Sequence, residues 1–190
     1  HWPDLKTPLV ETIACLEAAR EAGKIQRYGL SDFSREEVKA ACELGSILTI
    51  QAELHLLSPE DQSVFLGFAR ESGLDTLTYG PLAQGLLSGK YACGHEFDRS
   101  DRRHRLDHFK ARAYGRNQPV IDALMQISDE VGRSPAQVAI RWVLETGVAT
   151  SVVVGARTCK QVLDNCDTLS WSLSESHIQA LNQAREGLHG

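Results

Sequence analysis

The sequence predicts an α/β fold on a parallel sheet, and more narrowly about the last half of a closed eight-stranded TIM barrel, from the end of its fourth strand through its eighth and a C-terminal helix. Strand-like and helix-like segments alternate at about one pair per 25 residues over residues 1–80, the rhythm of βαβ units. Four strand candidates and one stub are present, each followed by a helix, where a closed barrel needs eight. The turn that most resembles a phosphate site follows the last strand. Barrels build theirs there, whereas a doubly wound sheet places its nucleotide turn first.

Residues 1–4 (His-Trp-Pro-Asp) read as the outgoing end of a strand, since Pro3 leaves Trp2 extended and stops a sheet. Thr7 as N-cap and Pro8 at the first helical position start a helix with Leu9, Ile13 and Leu16 on one face and Gly23 as its stop. Residues 25–31 form a strand, and Ser34 with Glu37 spells a capping box for a helix reaching Leu44 before Gly45. Residues 48–54 are the next strand. Ser58-Pro59 opens a helix carrying Val64, Phe65 and Phe68, ended by Gly73. Residues 74–80 are a strand that Pro81 terminates.

Residues 82–116 break the rhythm with a glycine-containing segment and then a charged run. A connection that long is usually a lid or binding loop. Helices over 118–131 and 136–146 follow, the second started by Ser134-Pro135 and stopped by Gly147. Val152, Val153 and Val154 make a short buried strand, and Gly155 opens a turn into a helix capped by Thr158 and Gln161 that runs to about Leu169. Ser174 caps a last helix, with Leu173 and Ile178 as its hydrophobic staple.

Composition narrows the function. With 190 residues, 42% of them hydrophobic, the chain can bury one core, and a single domain is expected. A net charge of −5 with interspersed signs gives no footprint for nucleic acid. No apolar run reaches the ~20 residues of a membrane span, and no signal pattern opens the chain, so a cytoplasmic protein is expected. The five cysteines are scattered without a C-x-x-C pair, which argues for reduced thiols and against a zinc site. His104 and His108, with Asp101 and Asp107 nearby, lack H-E-x-x-H spacing, and no metal is expected. The absent initiator Met gives the expectation that the chain is part of something longer.

In a barrel, functional residues stand at the C-terminal ends of strands. The candidates are therefore His1, Ser31-Asp32, Gln51, Tyr79-Gly80-Pro81 and Gly155-Ala156-Arg157. Ser, Asp and Gln offer donors and acceptors, and Tyr79 a face for stacking, which together suit a flat, amide-bearing ligand. Arg157, in a turn before a helix N-terminus, suits a phosphate. An ordinary βα turn with a solvated arginine accounts for the same residues equally well.

Residues 1–4, the run from Ala22 to Ser34, the run from Tyr79 to Tyr91, and Gly155 to Thr158 with Gln161, Asp164 and Asn165 together resemble the aldo-keto reductase superfamily. Within it the chain is similar to bacterial sugar or inositol-type reductases and to potassium-channel β-subunit relatives. The resemblance implies an NADPH-dependent (β/α)8 barrel that reduces aldehydes or ketones. It implies that Ser31, Asp32 and Gln51 hold the nicotinamide carboxamide and that Tyr79 stacks on the ring. Gly80, Pro81, Leu82, Ala83, Gln84, Gly85, Leu87 and Lys90 would line the pyrophosphate. Gly155, Ala156, Arg157, Gln161, Asp164 and Asn165 would hold the adenosine and its 2′-phosphate. His1 matches the catalytic histidine. The family usually carries Asn where Asp32 stands, and its catalytic Asp, Tyr and Lys belong to strands before His1. The missing half, or another chain, is therefore expected to cover the open strand edges; the alternative is a catalytically incomplete NADP(H)-binding regulatory or assembly subunit.

Overall fold

A computed structural model describes residues 1–4, 6–92, 95–106, 109–186 and 188. Strands β1 (Tyr28–Ser31), β2 (Ile47–Glu53), β3 (Asp75–Tyr79) and β4 (Ser151–Val153) form one sheet in the order β1-β2-β3-β4, with every pair parallel. Parallel neighbours need long crossovers. These are helices: α1 (Leu9–Glu21) precedes β1, α2 (Arg35–Leu44) joins β1 to β2, and α3 (Glu60–Glu71) joins β2 to β3. Helices α4 (Ala111–Val131) and α5 (Pro135–Glu145) precede β4, and α6 (Cys159–Asp167) and α7 (Glu175–Glu186) follow it.

The two faces of the sheet differ. Leu30, Ile50, Ala52, Thr76 and Thr78 are buried against the helices. The buried threonines are satisfied rather than orphaned: Thr76 donates its hydroxyl to the Val148 carbonyl and accepts from the Thr150 N–H. On the other face, register places Ser31, Gln51 and Leu77 in one row and Glu53, Tyr79 and Val153 in the next. All six are half-buried or exposed.

One apolar cluster joins Leu30 and Ile50 to Ile13, Val38, Ala41 and Ala69 of α1, α2 and α3. A larger one gathers Leu54, Leu66, Leu86, Leu124, Trp142 and Leu181, from the end of β2 to α7. Trp142 is only 1% exposed and donates its indole N–H to Asn182 Oδ1 at 2.9 Å, so its polar atom is not stranded in the core.

Local signals placed most elements. The capping boxes of Ser34 with Glu37, Ser134 with Gln137 and Thr158 with Gln161 all form. Four expectations are corrected. Residues 1–4 form no strand, because nothing among the described residues pairs with their backbone. Helix α1 starts at Leu9 with Pro8 in an extended conformation, while the Thr7 hydroxyl donates to Asp4 Oδ2 at 2.7 Å instead of capping. Ser58 does not cap α3, since its buried hydroxyl accepts the His55 N–H at 2.9 Å. Helix α4 starts at Ala111 rather than near residue 118, which shortens the 82–116 connection and leaves Pro119 inside the helix. Burial overrides the proline: Ala113 and Tyr114 are packed inside, and the Tyr114 hydroxyl donates to the Tyr91 carbonyl at 3.1 Å. The connection that remains carries short 3-10 turns at Ala83–Ser88 and Arg102–Arg105.

Candidate functional site

The tips of β1, β2 and β3 meet through side chains. Just beyond β1, Asp32 has a left-handed backbone, φ 58°, and its N–H continues the ladder to the Gln51 carbonyl at 2.9 Å. From the last position of β3, Tyr79 donates its hydroxyl across β2 to Asp32, 3.0 Å from each carboxylate oxygen. Glu53, its register neighbour, accepts from Gln84 Nε2 at 2.7 Å, and His55 Nε2 lies 3.7 Å from the same carboxylate. Burial, and then Asp32 with Glu53 behind it, push the Tyr79 hydroxyl well above its ordinary pKa, so the phenol stays protonated.

The chain leaving β3 is strained. Gly80, Ala83, Gln84 and Gly85 all have positive φ, two of them without glycine's freedom. Gly80 has φ 66°, a left-handed conformation that favours glycine, and a Cβ there would also displace the Glu53 carboxylate, 2.8 Å away. The segment is held down by buried Leu86 and Leu87, by Ala83 N–H on the Gly80 carbonyl, and by the bond from Gln84 to Glu53. Non-glycine strain persists only where the surroundings impose it, and it concentrates at functional sites.

Between this segment and the turn after β4 lies a cleft of about 560 Å³. Gly80, Pro81, Leu82, Gln84, Gly85, Ser88, Lys90 and Tyr91 line one wall, Val153, Val154, Gly155, Ala156, Arg157 and Gln161 the other, and Arg103 joins the first beside Tyr91. Register makes the two walls meet, since Tyr79 pairs with Val153. A Cβ on Gly155 would meet nothing within 4 Å, so the turn is open toward the cleft.

The N-terminus of α6 is largely self-satisfied. Gln161 Oε1 accepts from the N–H groups of Arg157 and Thr158 at 2.6 and 3.2 Å, and Thr158 Oγ1 accepts from Gln161 N–H at 3.2 Å. The N–H groups of Arg157, Thr158 and Gln161 are thus already taken, and the positive character comes from the side chains of Lys90, Arg103 and Arg157. Arg103 is locked: its Nε and Nη2 donate to Asp101 and its Nη1 to the Tyr91 hydroxyl at 2.6 Å. The same guanidinium, with Arg157 adding its field, holds the Asp101 carboxyl well below the usual carboxylate range.

The expected residues are thus largely brought together. Ser31, Asp32, Gln51 and Tyr79 gather at the strand tips, and Gly80 to Leu82, Gln84, Gly85, Lys90, Gly155 to Arg157 and Gln161 line the cleft. Others stand apart. Ala83 and Leu87 are fully buried anchors beneath the wall. Asp164 accepts from Lys160 at 2.7 Å, and Asn165 lines a neighbouring apolar groove with Val152, Val162 and Leu169. His1 is exposed, with its ring centroid 4.1 Å from that of Trp2, and does not line the cleft. Asp107 and His108 of the weighed histidine group lie outside the described residues.

Sequence reasoning missed Arg103, Tyr91 and Glu53. Arg103 sat in a charged run with several arginines and nothing to single it out. Glu53 had a signal, because it stands at the end of a strand beside the accepted candidate Gln51.

Comparison with known proteins bears on the family and the fold. The model of the Aldo/keto reductase family matches residues 1–186. The chain is 29% identical over 189 residues to the aldo-keto reductase str7 of Strobilurus tenacellus, covering 98% of this chain and 56% of that protein. It is 31% identical over 183 residues to a probable voltage-gated potassium channel subunit beta of Oryza sativa subsp. japonica, covering 89% of this chain and 54% of that one. The solved structure of a glycerol dehydrogenase from Gluconobacter oxydans superposes with a TM-score of 0.87 at 31% identity, over 97% of this chain and 56% of that one. The chain therefore spans little more than half the length of these relatives. A parallel α/β sheet with a strained, cation-lined cleft at its strand tips and a family match over nearly its whole length make this chain a member of the aldo/keto reductase family.

Proposed function

We propose that the chain is the cofactor-binding, C-terminal part of an NADP(H)-dependent oxidoreductase that interconverts a carbonyl compound and its alcohol. The observation that carries the reading is a cleft lined by Lys90, Arg103 and Arg157 whose wall begins directly after Tyr79, the residue that holds Asp32 and pairs with Val153 of the opposite wall. A dinucleotide suits both, with phosphates for the cations and a flat amide-bearing ring for the tyrosine. The residues fit it: the volume is that of a small-molecule site, the Gly155 turn is open, and Lys90 and Arg157 line the cleft beside an Arg103 already paired with Asp101.

In this reading Arg157 and Lys90 bind phosphate oxygens, and Arg103, held rigid by Asp101 and Tyr91, adds a preorganised third cation. Tyr79 presents its face to the nicotinamide, while Ser31 and Gln51 orient the carboxamide. The bound nicotinamide supplies or accepts a hydride. The half-exposed row of Glu53, Tyr79 and Val153 is then closed over by strands outside this chain, which complete a barrel and supply a proton donor beside His1. The apolar edge formed by Val153, Val162, Leu163 and Leu169, 45–70% exposed, is the surface such strands would cover. No helix among the described residues is long and apolar enough to cross a membrane. The reading carries a cytoplasmic setting, where the exposed Cys15, Cys42, Cys159 and Cys166 stay reduced.

One observation favours the alternative of a binding subunit without catalysis. All four tyrosines are engaged in this chain: Tyr28 with Glu17, Tyr79 with Asp32, Tyr91 with Arg103 and Tyr114 with the Tyr91 carbonyl. Fluorescence titration with NADPH and NADH, followed by an assay of hydride transfer to a panel of aldehydes, separates the readings. Tighter binding of NADPH with turnover supports the enzyme, and binding without turnover the subunit. Absence of NADPH binding overturns both.

A further inference from the structure

The strand tips beside the cleft carry two carboxylates. Asp32 makes no ion pair among the described residues, and its carboxylate accepts only from the neutral Tyr79 hydroxyl, at 3.0 Å from each oxygen. One register step away, Glu53 takes a neutral donor, Gln84 Nε2, at 2.7 Å, and has His55 Nε2 at 3.7 Å, beyond hydrogen-bond length. The His55 ring accepts the Leu57 N–H at Nδ1, which leaves its Nε2 as the N–H side facing Glu53. Among the described residues no arginine or lysine pairs with either carboxylate, Arg103 being taken by Asp101, and two carboxylates without full countercharges therefore stand beside Tyr79.

We propose that Asp32, with Glu53 behind it, makes this site discriminate by cofactor charge, binding the oxidised nicotinamide, whose ring is cationic, in preference to the reduced, neutral ring. The inference rests on the nucleotide reading above and adds to it the redox state the site favours. The physical argument is Coulombic. The two forms of the cofactor have nearly the same shape and the same phosphates, so contacts along the rest of the cleft cancel in the comparison. The unit charge on the ring remains, next to a carboxylate fixed by a left-handed backbone and a two-oxygen hydrogen bond. The same field acts on Tyr79, whose ionisation it opposes after burial has done so. Tighter binding of the oxidised form lowers the potential of the bound couple, by about 30 mV for each tenfold of preference in a two-electron couple. Asp32 is thus a specificity-determining residue.

The test measures dissociation constants of NADP⁺ and NADPH by calorimetry for the wild type, Asp32→Asn and Glu53→Gln, with thermal melts to verify folding. Asn keeps the shape and tolerates the left-handed backbone. The expected result is a preference for NADP⁺ that falls about fivefold to tenfold in Asp32→Asn and less in Glu53→Gln, with the wild-type preference shrinking as salt is raised. An unchanged ratio in Asp32→Asn, or equal loss of both nucleotides as expected for a lost hydrogen bond, overturns the charge assignment while leaving the nucleotide site standing. Failure of the wild type to bind either nucleotide overturns the nucleotide reading itself, and this inference with it.

Discussion

Tyr79 and Asp32 stand on strands that do not pair with each other, yet the tyrosine hydroxyl reaches over β2 to donate to the aspartate at 3.0 Å from each oxygen. That bond ties β3 to β1 at the tips and anchors the hydroxyl end of the ring. Tyr79→Phe should keep nucleotide affinity within about threefold while costing about 1 kcal/mol of stability. Tyr79→Ala should weaken binding by roughly tenfold, the scale of a lost aromatic stack. Fluorescence titrations beside urea melts check both, and equal affinities for the Phe and Ala variants would remove the stacking role.

Arg157 is exposed, at the turn of the cleft, so its replacement should cost little stability. Arg157→Ala should weaken NADPH by roughly tenfold or more and NADH by less than about threefold, because the proposed partner of the guanidinium is the extra phosphate. Parallel titrations with the two nucleotides read this directly. Similar losses for both would move the 2′-phosphate elsewhere.

At Gly85, φ is 103° and a Cβ would lie 3.2 Å from the Tyr91 ring. Gly85→Ala should destabilise the protein by about 1–3 kcal/mol and weaken nucleotide binding, because the strained wall of the cleft is displaced. Chemical denaturation and titration together test it; a variant with wild-type stability would show that the left-handed turn is not imposed there.

Below the sheet, Glu17 accepts from the Tyr28 hydroxyl at 2.5 Å, the Ser46 N–H at 2.6 Å and Arg20, and these bonds, Tyr28 first, lower its pKa from 4.5 to about 2. A carboxylate depressed in the folded state contributes stability above its unfolded pKa and loses it as pH falls, here between about 4.5 and 2. Tyr28 works in the opposite sense: burial and Glu17 push it up to about 12, so its share is full below pH 10 and fades as pH rises through 12. Tyr28→Phe should lower the melting temperature at pH 7 and flatten the acid side of the stability profile. Thermal melts across pH test this, and an unchanged acid slope would contradict it.

Arg185 is 9% exposed, lies 4.5 Å from the Trp142 ring centroid, and donates to the carbonyls of Leu56 at 2.8 Å and Ser58 at 2.9 Å. It docks α7 onto the segment after β2. Arg185→Leu leaves two buried carbonyls unsatisfied and should cost about 1–3 kcal/mol, measured by urea denaturation.

Much of this architecture was legible because its signals are local. The three capping boxes need only residues three apart, and β2 and β3 need only alternation that buries Ile50, Ala52, Thr76 and Thr78. What escaped was set by partners distant in sequence. The Ser58 hydroxyl turned back to His55 while Arg185 took its carbonyl, and buried Tyr114 belongs to a first part of α4 that runs from Ala111, ahead of Pro119. At the site, the residues in the turns were readable from type and place. Arg103 was not, because its value comes from Asp101 and Tyr91 gripping it over the cleft. The full occupancy of the α6 capping box was likewise hidden, since the motif shows that Gln161 caps but not that it also takes the Arg157 N–H.

A crystal structure with NADP⁺ bound is the most direct measurement of the central claim. The account predicts the nicotinamide against the Tyr79 ring and the 2′-phosphate at Arg157, with the pyrophosphate along the wall from Gly80 to Gly85 between them. A nucleotide lying reversed in the cleft, or bound elsewhere on the molecule, would contradict it.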